Sequence, residues 1–557
     1  MINLVQSVAL LLLVSSVACL GGSSRRIIYD EPKSHLLQLG KISDSNISLA
    51  RTFFSPAHKI AAAQLEVWMR EAGMKAWTDS VGNVHGQLDG SYSDLPMLMI
   101  GSHYDTVLDA GIFDGPLGII AGIAAIKMTV ASRLTQEAEI KGISNEASWM
   151  PLDNSADIAI PPEAAVGLLK RTVHIVAFTD EEGVRFQSTF LGSRAVAGTL
   201  IKYGMLSARD KSGSSLEDVL RIEGGVADPE SEVARIAISA KKVAEYVEIH
   251  MEQGPVLERR DVALGVVSAI AGQSRLWLTI NGTQGHAGTV PMRGRVDSLT
   301  AAAEVINVVE RRCGGGPGGD EEHAVGVIKS SEEDMLVCTV GEVRVWPGAS
   351  NVIPGNSQLS IDIRSKDDHL RAAVVANVTS SIQEICTRRG VACELKRNHD
   401  AAAVMCDDGV IQGFIKAIQD SQPTMSEIRT TLNLLSTEGG TSRAEGHSVG
   451  SSEGDASCVE SEKTSSKSCN IVDNGGISDQ VSSETTDAAF EGEDIPVMVS
   501  GAGHDAMAMA EVTKMGMMFV RCRGGVSHSP LEHVEPLDVA AATAALHHYI
   551  MARALTA

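Results

Sequence analysis

The stretch "GSHYDTVLDAGIFDG" sets His103, Asp105, Asp109 and Asp114 among glycines, directly after the apolar run "LPMLMI". Four later apolar runs give way to the same residue types. "HIVAFTDEEGVRF" leads into Asp180, Glu181, Glu182 and Arg185, and "VEIHMEQGP" into His250 and Glu252. "VMVSGAGHDA" leads into His504 and Asp505, and "MMFVRCRGGVSHSP" into Arg521, Arg523 and His528. Imidazoles and carboxylates without cysteine suit a divalent cation of intermediate hardness, such as Zn, Mn, Co or Ni. Two such ions about 3.5–4 Å apart, joined by one shared carboxylate, can clamp an attacking oxygen.

Each residue taken singly has a plainer reading. Asp114 before Gly115 is a turn signal, and Glu181–Glu182 would suit the acidic first turn of a helix. The specificity lies in the set, because five separate strand ends would have to imitate one site.

Strands are expected over residues 97–100, 174–178, 247–250, 496–500 and 517–521, alternating with helical patterns such as "GPLGIIAGIAAIKMTV". This is the pattern of an α/β layered fold, whose ligand crevice lies beyond the carboxyl ends of the strands. Residues 264–397 read differently. Their strand–helix–strand–strand–helix–strand order predicts a ferredoxin-like α+β unit inserted between catalytic segments 30–263 and 398–557. Two insertions are expected at 135–165 and 425–494. The second is Ser-, Glu- and Gly-rich without apolar clusters and reads as disordered.

The chain has 557 residues and a formal charge of −23, which disfavours nucleic acid and anionic membrane surfaces as partners. Aromatic residues are 4% of the chain, too few for a base-stacking surface. Residues 1–22 read as a cleaved secretory signal, although no Lys or Arg precedes the apolar run. No later window reads as membrane-spanning. Asn46, Asn281 and Asn377 lie in glycosylation tripeptides. The nine cysteines are scattered, and they indicate neither a disulfide framework nor a thiolate metal site.

The blocks "GSHYDTVLDAGIFDGPLG", "FTDEEGVRFQSTFLGS", "VEIHMEQGPVLE", "IAGQSRLWLTINGTQGHAGTVPM", "SNVIPGNSQLSIDIR" and "SGAGHDAMAMA" resemble the dinuclear-metal amidase/hydantoinase/carbamoylase family. That family is related to aminoacylases and metallo-carboxypeptidases, and within it the plant-type allantoate deiminases are most similar. The resemblance implies a mixed-sheet dinuclear-metal hydrolase domain with an inserted dimerisation or lid domain. It implies two divalent ions, Mn²⁺ by that resemblance, held by His103, Asp114, Glu182, His250 and His528, with Asp114 bridging. Asp105 would fix the His103 tautomer and Glu181 would be the general base. His286 would come from the partner subunit of a homodimer to meet the developing oxyanion, its plainer role being a turn residue before Gly288. Arg364, with Gln273 and Asn351, would bind the carboxylate of a small ureide; the rival for Arg364 is an ion pair with Asp362 or Asp367. Gly503 and His504 would lie at a helix start facing an anion, unless they merely cap it.

The implied reaction is cleavage of a terminal ureido group of allantoate in the endoplasmic reticulum lumen, with ureidoglycolate or an N-carbamoyl amino acid as the rival substrate. A catalytically inactive binding protein on the same fold is the rival of another class.

Overall fold

The computed structural model describes residues 24–140, 158–314, 335–438 and 495–556. The signal segment, residues 141–157 of the first expected insertion, residues 315–334 with most of the loop "CGGGPGGDEE", and residues 439–494 lie outside the described residues.

Nine strands form the larger sheet. Four of them run parallel as neighbours: Val173–Phe178, Met97–His103, Val243–Met251 and Met515–Val520. They are buried along nearly their whole length, as strands covered on both faces are, and mostly apolar. Their carboxyl ends therefore meet at one rim. The fifth expected strand, Val497–Ser500, behaves differently. It pairs in parallel with Leu264–Ile270, which is antiparallel to Met515–Val520. It thus runs against the other four, and the expected convergence of five carboxyl ends holds for four.

The helices Pro116–Ile140, Asp408–Asp420 and Pro536–Ala554 pack on one another and on this sheet. By length and composition Pro116–Ile140 is apolar enough to cross a membrane, but 78% of its apolar window is buried inside the fold. This helix continues into the expected insertion as far as Ile140, and Ile158 and Ile160 re-enter the core. Of the second insertion, residues 425–438 are helical rather than disordered, as part of the helix Gln422–Glu438. Met425 and Ile428 are buried there against the main core.

The inserted domain has the expected ferredoxin-like order. Gly272–Asn281, Val343–Trp346, Asn356–Ser365 and Ala392–Ala401 form an antiparallel sheet, with the second strand beside the third, the third beside the first, and the first beside the fourth. The helices Ser298–Arg312 and Asp368–Arg389 cover one face, burying Leu276, Leu278, Ile361 and Ile363. Its limits differ from the expected 264–397. Leu264–Ile270 belongs to the larger sheet, and the last inserted strand runs on to Ala401. Two disulfides, Cys313–Cys338 and Cys386–Cys393, close this domain, whereas Cys406 and Cys522 are free and buried.

Candidate metal centre

Each of the four parallel strands delivers a side chain to the rim. His103 ends its strand, His250 is one residue short of the end of its own, and Glu181 and Glu182 follow Val173–Phe178. His528 sits in the loop after Met515–Val520 with a left-handed backbone (φ 56°). Asp114 lies in the turn before Pro116–Ile140. Gly115 explains that turn: its φ is +84°, and a Cβ there would fall 2.5 Å from the His103 ring.

Asp114 is the hub. Its Oδ1 lies 3.2 Å from His250 Nε2 and 3.9 Å from His103 Nε2. Its Oδ2 lies 3.2 Å from His528 Nε2, which is in turn 3.3 Å from Glu182 Oε1. Two triads share Asp114, His103–Asp114–His250 and Asp114–Glu182–His528, each with ligand atoms within 4.8 Å of one another; Glu248–His250–His504 and His103–Glu181–Glu182 lie equally close without it. The structure thus brings all five expected ligand residues together around one shared carboxylate.

The electrostatics fit cations. Burial alone would raise the Asp114 pKa, but hydrogen bonds from His250 and His528 hold it well below the usual carboxylate range. Burial opposes protonation of His250, yet Asp114 pulls its pKa up to about 9. Asp114 and then Glu182 raise His528 to about 10. A field that favours a proton on both imidazoles favours a divalent cation between them. Glu181 is raised well above its ordinary value by burial, then by the charges of Glu182, Asp505, Asp105 and Asp114. A pocket this crowded with carboxylates needs positive charge, and the donor set suits two ions.

Three residues without an assigned role support the hub. Gln253 Nε2 and Ser527 Oγ donate to Asp114 Oδ2 at 3.0 and 2.8 Å. Glu532 Oε2 accepts from the amides of Phe113 and Asp114, both at 3.3 Å, and its Oε1 accepts from the His528 amide at 2.9 Å. One carboxylate therefore ties together two ligand-bearing loops over 400 residues apart in sequence. "EQGP" and "VSHSPLEHV" adjoin or contain ligand candidates, and that proximity is the only signal the sequence offers for them.

Other expectations change. Asp105 meets His103 Nδ1 through its carbonyl oxygen, at 3.2 Å; its carboxylate is 3.7 Å away and accepts the amides of Glu181 and Glu182 instead. Glu181–Glu182 opens no helix. His504 is not a cleft residue. It is buried, with Nε2 2.7 Å from Ser500 Oγ and its ring edge-on to His250 at 4.5 Å. The helix after it, Asp505–Met509, has five residues, and Glu248 Oε2 already accepts the Ala506 amide at 2.9 Å. Gly503 packs against Phe190. The expected anion seat at Gly503 and His504 is thus filled from within. Glu252 caps the turn Val256–Arg259, and Arg185, Arg521 and Arg523 are engaged in ion pairs with Asp210, Asp538 and Glu535.

The other four of the six expected substrate residues sit in the inserted domain as two pairs. Gln273 and Arg364 face each other across adjacent strands. His286 lies in the short strand Gly285–His286, whose partner Val352–Ile353 follows Asn351; the Asn351 carbonyl accepts the Ala287 amide at 2.9 Å. Among the described residues, no hydrogen bond or ion pair links either pair to the Asp114 cluster. His286 is exposed, with Nδ1 accepting the Gly288 amide at 3.1 Å.

The sequence model for peptidase family M20/M25/M40 matches residues 163–552. This chain belongs to that family. Over 527 residues it is 39% identical to allantoate deiminase 2 of Glycine max, covering 93% of this chain and 88% of that one. It is 30% identical to an N-carbamoyl-L-amino-acid amidohydrolase of Pseudomonas sp., covering 93% and 96%. The crystal structure of an amidase of the hydantoinase/carbamoylase family from Burkholderia multivorans has the same fold, with a TM-score of 0.65 at 23% identity over 95% of this chain and 98% of that one. As an M20-type protein the chain is a hydrolase of the metal-dependent kind, with the larger sheet carrying the metal centre and the ferredoxin-like unit inserted into it.

Proposed function

We propose that this M20-type chain hydrolyses the terminal ureido group of allantoate, leaving ureidoglycine and releasing ammonia and carbon dioxide. The observation that carries the reading is the pair of triads sharing Asp114 with Glu181 beside them. The substrate follows from the deiminase relative, which is closer in identity than the carbamoyl hydrolase.

A ureido carbonyl is deactivated by its nitrogens, so neutral water attacks it very slowly. Two divalent ions, Mn²⁺ by our assignment, would be held by His103, Asp114, His250, Glu182 and His528; when bound they acidify water and polarise the carbonyl. Glu181 takes the proton from the attacking water and hands it to the departing nitrogen. Its burial and negative surroundings raise its proton affinity, as the second half of that task requires. The Arg364 guanidinium binds the substrate carboxylate, with Gln273 and Asn351 as hydrogen-bonding neighbours. Gln273 is buried, and its Oε1 has no hydrogen-bond partner among the described residues.

His286 meets the developing oxyanion from a second copy of the chain, in a homodimer built through the inserted domain. Its exposure and its separation from its own Asp114 cluster support that reading. Two disulfides in one domain support folding in an oxidising compartment, for which we propose the endoplasmic reticulum lumen. Asn46 and Asn281 are exposed and open to glycosylation there.

The test is ammonia release from a panel of allantoate, ureidoglycolate and N-carbamoyl amino acids, with the metal content measured on the same preparation. Allantoate should give the highest kcat/KM. Faster turnover of ureidoglycolate would move the assignment to that substrate, and a metal-replete preparation inert toward the whole panel would leave a binding protein.

A further inference from the structure

Arg364 is held at three points before any substrate arrives. Its Nε donates to Asp362 Oδ1 at 3.0 Å and its Nη2 to Asp362 Oδ2 at 2.8 Å, a side-on fork between alternate residues on one face of a strand. Its Nη1 donates to the Gly501 carbonyl of the larger domain at 2.7 Å. A guanidinium has five N–H donors. Asp362 takes those of the Nε–Nη2 edge, and the Nη1–Nη2 edge remains for an incoming carboxylate, with a neutral carbonyl as its sole competitor among the described residues. A charge-assisted bond to a carboxylate is stronger than one to a neutral carbonyl, so the exchange is favourable.

The same aspartate sets the charge of the seat. Asp362 faces Arg275 across the strand pair, with Arg275 Nε 3.5 Å from Asp362 Oδ2. Arg275, Asp362 and Arg364 together carry one net positive charge, which balances one carboxylate and not two. Side-chain exposures of 25% for Arg364 and 27% for Asp362 place the pair at the edge of solvent, where the fork would otherwise be free to turn.

We infer that Asp362 is a positioning and specificity residue: it presets the Arg364 fork and tunes the seat to a substrate bearing a single carboxylate. The inference rests on the proposed function for the nature of the substrate, but not for the geometry.

The experiment compares D362N and D362E with the wild type on monoanionic allantoate and dianionic N-carbamoyl-aspartate. Binding of both compounds is also followed by calorimetry in the non-hydrolysing E181Q background. D362N removes a charge and leaves the fork loose and the seat more positive. Its kcat/KM for allantoate should fall about 10- to 100-fold, mostly through KM, in line with a lost charge-assisted contact. The ratio of N-carbamoyl-aspartate to allantoate should rise at least fivefold, in turnover and in binding. D362E should recover most of the allantoate loss. Equal losses for both compounds, or a loss that appears in kcat alone, would overturn the inference and leave Asp362 a structural residue. If the wild type prefers another ureido acid, the substrate assignment fails while the charge-selection ratio is still read in the binding arm.

Discussion

Asp105 holds Glu181 by its backbone: Asp105 Oδ1 accepts the Glu181 amide at 3.0 Å, and Oδ2 accepts the Glu182 amide at 3.3 Å. One buried carboxylate thereby sets the position of a proposed base and of a proposed metal ligand. D105N turns one acceptor into a donor facing an N–H group. Its kcat should fall about 10- to 100-fold, the usual scale for a group that orients a metal site. Kinetics read against metal content will check this, since the loss should exceed any drop in metal occupancy.

The two triads that share Asp114 are complete without Glu181, although it also lies close to His103 and Glu182. E181Q should keep its metal and its fold while kcat falls about 10²- to 10⁴-fold, the range of general-base catalysis. Elemental analysis beside turnover will decide. Loss of metal together with activity would assign Glu181 to the ligand set instead.

The fold should be acid-labile through buried neutral histidines. Burial pushes His58, His174 and His547 down to about 3 from an ordinary 6.5. A histidine with a lowered folded pKa is neutral in the fold and protonates more readily once unfolded. Its stabilising contribution is complete above pH 6.5 and declines as pH falls from 6.5 toward 3, by about 1.4 kcal/mol per unit for each such group. His58 is the one nearest the site, with Nε2 2.8 Å from the Thr179 hydroxyl ahead of Asp180 and Glu181. Denaturant midpoints measured between pH 8 and 4 should fall below pH 6.5, and H58Q should flatten part of that slope.

Reduction should act on the inserted domain. Cys313–Cys338 ties the end of the helix Ser298–Arg312 to Val337–Thr339, and Cys386–Cys393 ties the helix Asp368–Arg389 to the strand after it. Each bond contributes roughly 2–4 kcal/mol. Dithiothreitol should lower the melting temperature and the affinity for substrate while the metal content of the larger domain stays constant. Thiol titration of the denatured, unreduced chain should find these four sulfurs unreactive.

The pool of candidates was legible because donor types repeat at the ends of apolar runs, a local pattern that survives without the fold. The choice of His103, Asp114, Glu182, His250 and His528 from that pool came from the family resemblance, and the structure gathers those five. The support around them was not legible. Glu532 reaches the Asp114 and His528 amides through loops that only the sheet brings together, and a glutamate in "SPLEHV" carries no mark of that. The direction of Val497–Ser500 escaped for a related reason: periodicity identifies a strand, but pairing partners set its sense. His504 looked like a ligand candidate because it follows an apolar run, and the reversed strand turns it inward instead. The Cys pairs have no motif spacing, since helix-to-strand proximity selects the partners. Residues 422–438 form a helix because Met425 and Ile428 have a core to pack on, which composition over a long window averages away.

The inserted domain leaves and rejoins the larger sheet through adjacent residues. Ile270 and Val404 are direct partners in an antiparallel pair, so their Cα atoms lie about 5 Å apart. The two crossings therefore lie side by side on neighbouring strands. The same adjacency makes the domain excisable: a short reverse turn joining Ile270 to Val404 would restore the hairpin. The remainder would be a minimal metal-loading module without the Arg364 seat.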